Sequence, residues 1–157
     1  VHLYSIDYMQ HDPHKLRFFS YLSFFTFYML FLVSSSNFLQ MFVGWEGVGL
    51  SSYLLINFWY TRYQANKSAL KAIIVNRVGD FGIYMAISAL FNAFLSLDYD
   101  VVFALINEYI YYEISFFYKN VNVLTFISLF IFVGAVGKSA QLGLHTWLPD
   151  AMEVKLY

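Results

Sequence analysis

The chain has 157 residues, of which 60% are hydrophobic and only 12% are charged. Soluble domains have about 25% charged residues, and a soluble fold of this size could not bury so much apolar surface. The aromatic content of 22% excludes a disordered chain. The net charge of −1 gives no electrostatic case for binding nucleic acid. The composition therefore indicates an integral membrane protein.

The sequence contains no cysteine. A disulfide framework, a thiolate zinc site and an iron–sulfur cluster are therefore excluded for this chain. The segment His11-Asp12-Pro13-His14 contains metal-ligating residue types, but a polar loop fixed by Pro13 is the better interpretation, because a metal site needs more ligands in a defined geometry. We predict that the chain carries no metal and no redox centre.

Four apolar segments predict an all-α integral membrane domain over residues 1–157, with transmembrane helices at about 18–35, 37–60, 65–94 and 122–144. Ser34-Ser35-Ser36-Asn37 separates the first two helices, and Asn37 is a suitable N-cap. The last helix contains several glycines, so we expect it to be irregular near Gly134–Lys138. Pro149 suits the first turn of a further helix.

The distribution of basic residues predicts the orientation. Lys15 and Arg17 precede the first span, and the polar stretch around Lys67 follows the second, so both lie on one side of the membrane. The loop Asp98–Lys119 is predominantly acidic and falls on the opposite side. The positive-inside rule then places the Lys67 loop on the inner face.

Four ionisable residues lie within the predicted spans: Glu46, Arg77, Asp80 and Lys138. A charge at the bilayer centre costs roughly 2.5–3.5 kcal/mol on insertion scales, so such residues are paired or functional. Burial disfavours the charged form of an acid or base and pairing favours it, so an acid that gains and loses a partner can change protonation. This pattern indicates a proton pathway.

Structural interpretations of the same residues stay open at this stage. Glu46 could be bonded to a neighbouring helix, Lys138 could extend to a membrane interface, and Arg77 and Asp80 are three residues apart and could pair on one helix. Lys71, near the inner end of the third span, suits a solvated face. We expect Glu46 and Lys138 to pair with each other, since each is the lone charge in its span.

Four blocks of sequence resemble the chain 5 family of NADH–ubiquinone oxidoreductase, the antiporter-like membrane subunits of respiratory complex I. The blocks contain the motifs GWEGVGL, NRVGDFG and VGKSAQLGLHTWLPDAM, together with the segment HDPHKLRFFSYLSFFTFYMLFLV. They occur in the family's order and cover nearly all of residues 1–152. The part without a recognisable counterpart is 98–123.

The resemblance implies a proton-translocation role for a set of candidate residues. These are Glu46, Lys138, Asp80, Arg77, Lys71 and His145. The resemblance also implies a multi-pass location in the mitochondrial inner membrane. Its expected partners are other membrane-arm subunits of complex I and membrane lipids, with no nucleic acid. NADH, FMN, iron–sulfur clusters and ubiquinone would be used elsewhere in the complex, with no cofactor and no catalytic activity expected from this chain alone.

The chain departs from the family's pattern at both ends. It begins within what should be the family's third helix, and after Glu153 it no longer follows the family. We therefore expect a fragment, whose missing half a second chain would supply. Two alternatives remain: a subunit of a multisubunit sodium/proton antiporter, which shares these motifs, or a structural membrane fragment without its own channel.

Overall fold

The computed structural model describes residues 1–116 and 118–152. In chain order the described elements are α1 His2–Tyr8, α2 Lys15–Val33, α3 Phe38–Ile56, α4 Tyr63–Phe94, α5 Tyr99–Leu105, β1 Glu113–Phe116, β2 Lys119–Asn122, α6 Val123–Lys138 and α7 Trp147–Ala151. The departure from the family's pattern after Glu153 lies outside the described residues, as does Phe117 in the predicted acidic loop. The helical class predicted from the sequence is confirmed.

Helices α2 and α3 form a hairpin around the Ser34–Asn37 turn. The Asn37 side chain accepts a hydrogen bond from the backbone N–H of Gln40, at 2.6 Å, which confirms the predicted N-cap. The two helices approach closely because Gly44 has no side chain: a Cβ there would lie 2.7 Å from the Cβ of Leu32. Helix α3 ends at Ile56 rather than near residue 60, since the backbone leaves the helix at Asn57.

Helices α4 and α6 pack against each other through glycines. A Cβ on Gly79 would lie 3.2 Å from the Gly134 carbonyl oxygen and 3.2 Å from the Gly137 Cα. The sequence analysis expects an irregular helix near Gly134–Lys138, and the irregular backbone begins only after Lys138. Helix α6 stays regular through both glycines and ends at Lys138, six residues before the predicted boundary, and the backbone then turns through Ala140 with a φ of 50°. These glycines permit close helix packing and do not break the helix.

The predicted loop Asp98–Lys119 contains secondary structure. It holds the short helix α5 and the antiparallel hairpin of β1 and β2, in which Glu113 pairs with Asn122 and Phe116 with Lys119. Beneath these elements lies a buried apolar cluster formed by Ala86, Leu90, Phe94, Val102, Val123 and Ile127. The cluster anchors α5 and the start of α6 on α4.

Loop contacts define the two ends of the bundle. At one end, Ser36 and Asn37 lie beside the α4–α5 turn, where the Phe38 N–H donates to the Leu97 carbonyl at 3.0 Å. At the other end, Arg17 donates to the Phe58 carbonyl at 3.3 Å, so the start of α2 lies beside the segment that joins α3 to α4. The basic clusters at 15–17 and 62–71 therefore lie at one end of the bundle and the acidic loop at the other, which agrees with the crossing pattern expected from the sequence.

By length and composition, α2 and α4 could each cross a membrane. Helix α3 equals α2 in length, with 19 residues, but it carries Gln40 and Glu46 among its apolar residues. Helix α6 is apolar but has only 16 residues. Two of the four predicted spans thus meet this criterion by themselves, and the four-span arrangement stays a prediction.

Pro149 lies in the first turn of α7, as the sequence predicts. Helix α1, which the sequence analysis did not predict, is a short helix before the first span. Neither α1 nor α7 belongs to the helix pairs α2–α3 and α4–α6, on which Glu46, Arg77, Asp80 and Lys138 lie.

Candidate functional site

Glu46 and Arg77 form an ion pair between α3 and α4. Arg77 Nη1 lies 2.6 Å from Glu46 Oε1 and donates a hydrogen bond to it. The Glu46 side chain is 28% exposed and the Arg77 side chain is 62% exposed. The carboxylate therefore lies at the inner side of the pair, and the arginine lies towards the outer surface of the described helices.

Asp80 is the most buried acid in the described part of the chain, with 8% of its surface exposed. Its Oδ1 accepts a hydrogen bond from the indole N–H of Trp45 at 2.8 Å. Asp80 and Arg77 lie on the same helix, but they form no ion pair among the described residues: Arg77 pairs with Glu46 instead. The alternative of a self-contained Arg77–Asp80 pair is therefore wrong.

Lys138 is the last residue of α6 and its ammonium group points at Trp45 on α3. The Nζ donates to the Trp45 carbonyl at 2.8 Å and lies 5.4 Å from the centroid of the indole ring. The expected ion pair between Lys138 and Glu46 is wrong for this conformation, since Arg77 occupies the Glu46 carboxylate. Lys138 and Asp80 contact the same residue, Trp45, from α6 and α4.

These contacts join three helices into one cluster of charged side chains, which we call the membrane charge cluster: Glu46, Arg77, Asp80 and Lys138, with Trp45 between them. Gly49 leaves room beside the Lys138 ammonium, because a Cβ at Gly49 would lie 3.3 Å from the Nζ atom. The arrangement brings together two acids and two bases, as the sequence predicts, but with partners that the sequence did not identify.

A cavity of about 370 Å³ opens beside the membrane charge cluster, between α2, α3 and α4. A volume of this size exceeds what several water molecules need, at about 30 Å³ each. Its lining combines apolar side chains with the charged ones: Tyr28, Phe42, Val43, Glu46, Gly47, Gly49, Leu50, Ile73, Asn76, Arg77 and Asp80. The cavity is therefore large enough to hold water next to the ionisable side chains of Glu46, Arg77 and Asp80.

The remaining two candidates lie outside the membrane charge cluster. Lys71 forms an ion pair with Asp150 of α7, at 2.6 Å between Nζ and Oδ2, and both side chains are partly exposed. His145 lies in the exposed turn between α6 and α7, away from the cavity lining. Residues 1–116 and 118–152 include no group of three His, Asp or Glu side chains that could hold a metal ion.

Sequence reasoning missed two residues of this region, Trp45 and Asp150. A signal was available for Trp45, because the indole N–H of a tryptophan inside an apolar span needs a hydrogen-bond acceptor. No comparable signal singled out Asp150, since an acid after a proline at a helix start is common and exposed.

Comparisons with known proteins agree with the motifs. The family model described as "NADH:quinone oxidoreductase/Mrp antiporter, TM" matches residues 35–155. The family model described as "NADH-Ubiquinone oxidoreductase (complex I), chain 5 N-terminus" matches residues 1–19. The first of these matches contains every residue of the membrane charge cluster.

Several curated relatives are named NADH-ubiquinone oxidoreductase chain 5. The one from Acanthamoeba castellanii is 64% identical over 155 residues, the one from Chondrus crispus is 63% identical over 153 residues, and the one from Arabidopsis thaliana is 56% identical over 157 residues. Each alignment covers 98% of this chain, and the chain spans 23% of the length of each relative. Because the first family model covers more than half of the chain, the chain belongs to the NADH:quinone oxidoreductase/Mrp antiporter transmembrane family, and the resemblance to complex I chain 5 is confirmed.

Proposed function

We propose that this chain contributes part of a proton-translocation channel to the membrane arm of respiratory complex I. The observation that carries the proposal is the Glu46 carboxylate, which lines the cavity between α2, α3 and α4 and is ion-paired to Arg77. An acid with a cationic partner and a cavity large enough for water has what a proton site needs: an ionisable group, a partner that controls its charge, and a route for water.

The energetics support a functional rather than a structural role for the membrane charge cluster. Keeping charges within a bilayer is costly, and a stable structure would satisfy an acid more cheaply with neutral hydrogen bonds. Here the two acids are held differently. Glu46 has a full cationic partner, whereas Asp80 has a neutral N–H donor from Trp45. Unlike environments let two groups of one chemical type take different protonation states, which is how one site separates an acid from a base.

The proposal favours complex I over a multisubunit sodium/proton antiporter. The matching family model includes both classes in its description, but the relatives named above are chain 5 proteins and are 56–64% identical to this chain. In this assignment the location is the mitochondrial inner membrane. NADH, FMN, iron–sulfur clusters and ubiquinone would act in other subunits, and this chain would bind no cofactor and catalyse no reaction alone.

The whole-protein activity needs more polypeptide than this chain supplies, since the chain spans 23% of its relatives' length. We propose that its partners are a further polypeptide segment that completes the antiporter-like fold, other membrane-arm subunits and membrane lipids. The exposed apolar side chains on α4, among them Leu70, Ile74 and Phe81, agree with a surface that meets lipid or protein rather than water.

The experiment is proton pumping per assembled complex in the Glu46→Gln variant. This substitution keeps the shape of the side chain and removes its titration, so we expect assembly at near-normal levels and pumping reduced by at least tenfold. The matched control is Glu108→Gln, an exposed glutamate in the turn after α5, which should pump normally. Full pumping in Glu46→Gln at normal assembly would falsify the proposal. Co-purification with sodium/proton antiporter subunits would overturn its assignment to complex I.

A further inference from the structure

Trp45 contacts two charged residues of the membrane charge cluster at once, the buried Asp80 and the half-buried Lys138. Its indole N–H donates to Asp80 at 2.8 Å. Its backbone carbonyl accepts from Lys138 at 2.8 Å, and its ring face lies 5.4 Å from the same ammonium. No other residue in the described part of the chain contacts both groups through these interactions.

We propose that Trp45 is a positioning residue that holds Asp80 and Lys138 in a fixed relation, close enough to interact but without a direct ion pair. This inference rests on the proton-translocation role proposed above. Its structural basis is that no acid among the described residues lies within 4.0 Å of the Lys138 ammonium, although Asp80 and Lys138 both contact Trp45. The indole N–H and the backbone carbonyl of Trp45 take the place of a direct contact between Asp80 and Lys138.

The chemistry of tryptophan suits this role. The indole is a hydrogen-bond donor only and does not titrate, so Trp45 can orient a carboxylate without taking part in proton transfer. The electron-rich ring face attracts a cation, and this attraction grows where water is excluded. A direct lysine–carboxylate contact would instead stabilise both charges together and resist a change of protonation.

Trp45 and Glu46 are adjacent residues of α3. Trp45 precedes Glu46 on α3, so any rotation of this part of the helix moves the Asp80 and Lys138 contacts and the Glu46–Arg77 pair together. The four ionisable groups are thereby connected through two adjacent residues of one helix. Trp45 thus links the acid of α4 with the base of α6.

The test compares three variants at Trp45 with a matched control in the native complex. Trp45→Phe keeps a ring face and the backbone carbonyl and removes the N–H donor. Trp45→Leu removes both ring functions, and Trp45→Tyr restores a polar hydrogen at the edge of the ring. The control is Trp59→Phe, which removes an indole N–H that donates to Asp12 at 3.2 Å, at the end of the bundle.

We expect pumping per assembled complex to fall about tenfold in Trp45→Phe, which corresponds to losing one hydrogen bond to a charged group. The loss should be larger in Trp45→Leu, partly recovered in Trp45→Tyr, and absent in Trp59→Phe. If the Trp45 N–H acts by orienting the Asp80 carboxylate, removing this N–H has no further effect on pumping once Asp80→Asn has made that side chain neutral. Trp45→Phe should therefore add little to the defect of Asp80→Asn, whereas independent defects multiply.

The possible outcomes separate this inference from the proposed function. Normal pumping per assembled complex in Trp45→Phe, with or without reduced assembly, overturns the positioning role and leaves a packing role. Multiplying defects in the double variant also overturn it. If Glu46→Gln pumps normally, the proposed function fails. If Glu46→Gln fails to pump while Trp45→Phe pumps normally, this inference alone is wrong.

Discussion

The guanidinium of Arg77 on α4 lies 2.6 Å from the carboxylate of Glu46 on α3, measured from Nη1 to Oε1. An arginine side chain keeps its proton in proteins, so this partner cannot neutralise Glu46 by giving up its own charge. Protonation of Glu46 therefore becomes easier if Arg77 moves away from it. The Arg77 side chain is 62% exposed in this chain, so the helices described here pack only loosely around it.

This geometry predicts the effect of removing the arginine. Arg77→Gln leaves the Glu46 carboxylate without its cationic partner, so we expect assembly to be destabilised by about 1–3 kcal/mol and pumping to fall. Arg77→Lys should retain much of both, since it keeps the charge. Quantitative immunoblots of the assembled complex measure the first effect, and pumping per complex measures the second.

The double variant distinguishes the charge effect from a packing effect. Combining Arg77→Gln with Glu46→Gln removes both charges, so assembly should recover while pumping stays lost. If assembly is no better in the double variant than in Arg77→Gln alone, the ion pair is not what the single change disturbs.

The Lys71–Asp150 ion pair predicts a smaller role for Lys71. Both side chains are partly exposed, 39% and 51%, and such surface pairs contribute about 0–1 kcal/mol. Lys71→Gln and Asp150→Asn should each leave assembly near normal. Because Asp150 holds Lys71 away from the cavity, Lys71→Gln should reduce pumping clearly less than Glu46→Gln. Equal loss of pumping in the two variants would contradict this ranking.

The glycine contact between α4 and α6 predicts a packing defect. A Cβ at Gly79 would lie 3.2 Å from the carbonyl oxygen of Gly134, and backbone atoms cannot move aside as a side chain can. We expect Gly79→Ala to destabilise the helix pair by about 1–3 kcal/mol. Gly49→Ala is the matched control, because the nearest atom there is the flexible end of Lys138, at 3.3 Å. Thermal stability of the assembled complex compares the two variants, and equal stability would show that the α4–α6 contact accommodates the added methyl group.

The arrangement of loops predicts opposite-side labelling. Gln64 and Ser115 are exposed at opposite ends of the bundle, and the chain contains no natural cysteine. Cysteine at Gln64 should react with an impermeant reagent from the matrix side, and cysteine at Ser115 from the intermembrane-space side. Ser68 is unsuitable for the inner label because it is buried. Labelling of both positions from one side would overturn the predicted orientation.

Local features of the chain were predictable from the sequence. Apolar runs predicted the main helices, because helix length and hydrophobicity depend on neighbouring residues alone. The Asn37 cap and the placement of Pro149 in a first helical turn followed from backbone chemistry in the same way. The short helix α5 and the hairpin after it were not predictable, since tertiary packing on α4 stabilises them rather than their own pattern of residues.

The four charged residues of the membrane charge cluster were also identifiable from the sequence alone, because a charge within an apolar span stands out wherever its partner lies. Their partners were not. Pairing depends on which helix faces which and at what height, and the way α3 packs against α4 and α6 decides both. Only the tertiary structure assigned Arg77 to Glu46, and Trp45 to both Asp80 and Lys138. A hydrogen bond forms over about 3 Å, and the spacing of residues in the sequence does not give distances between separate helices at that scale.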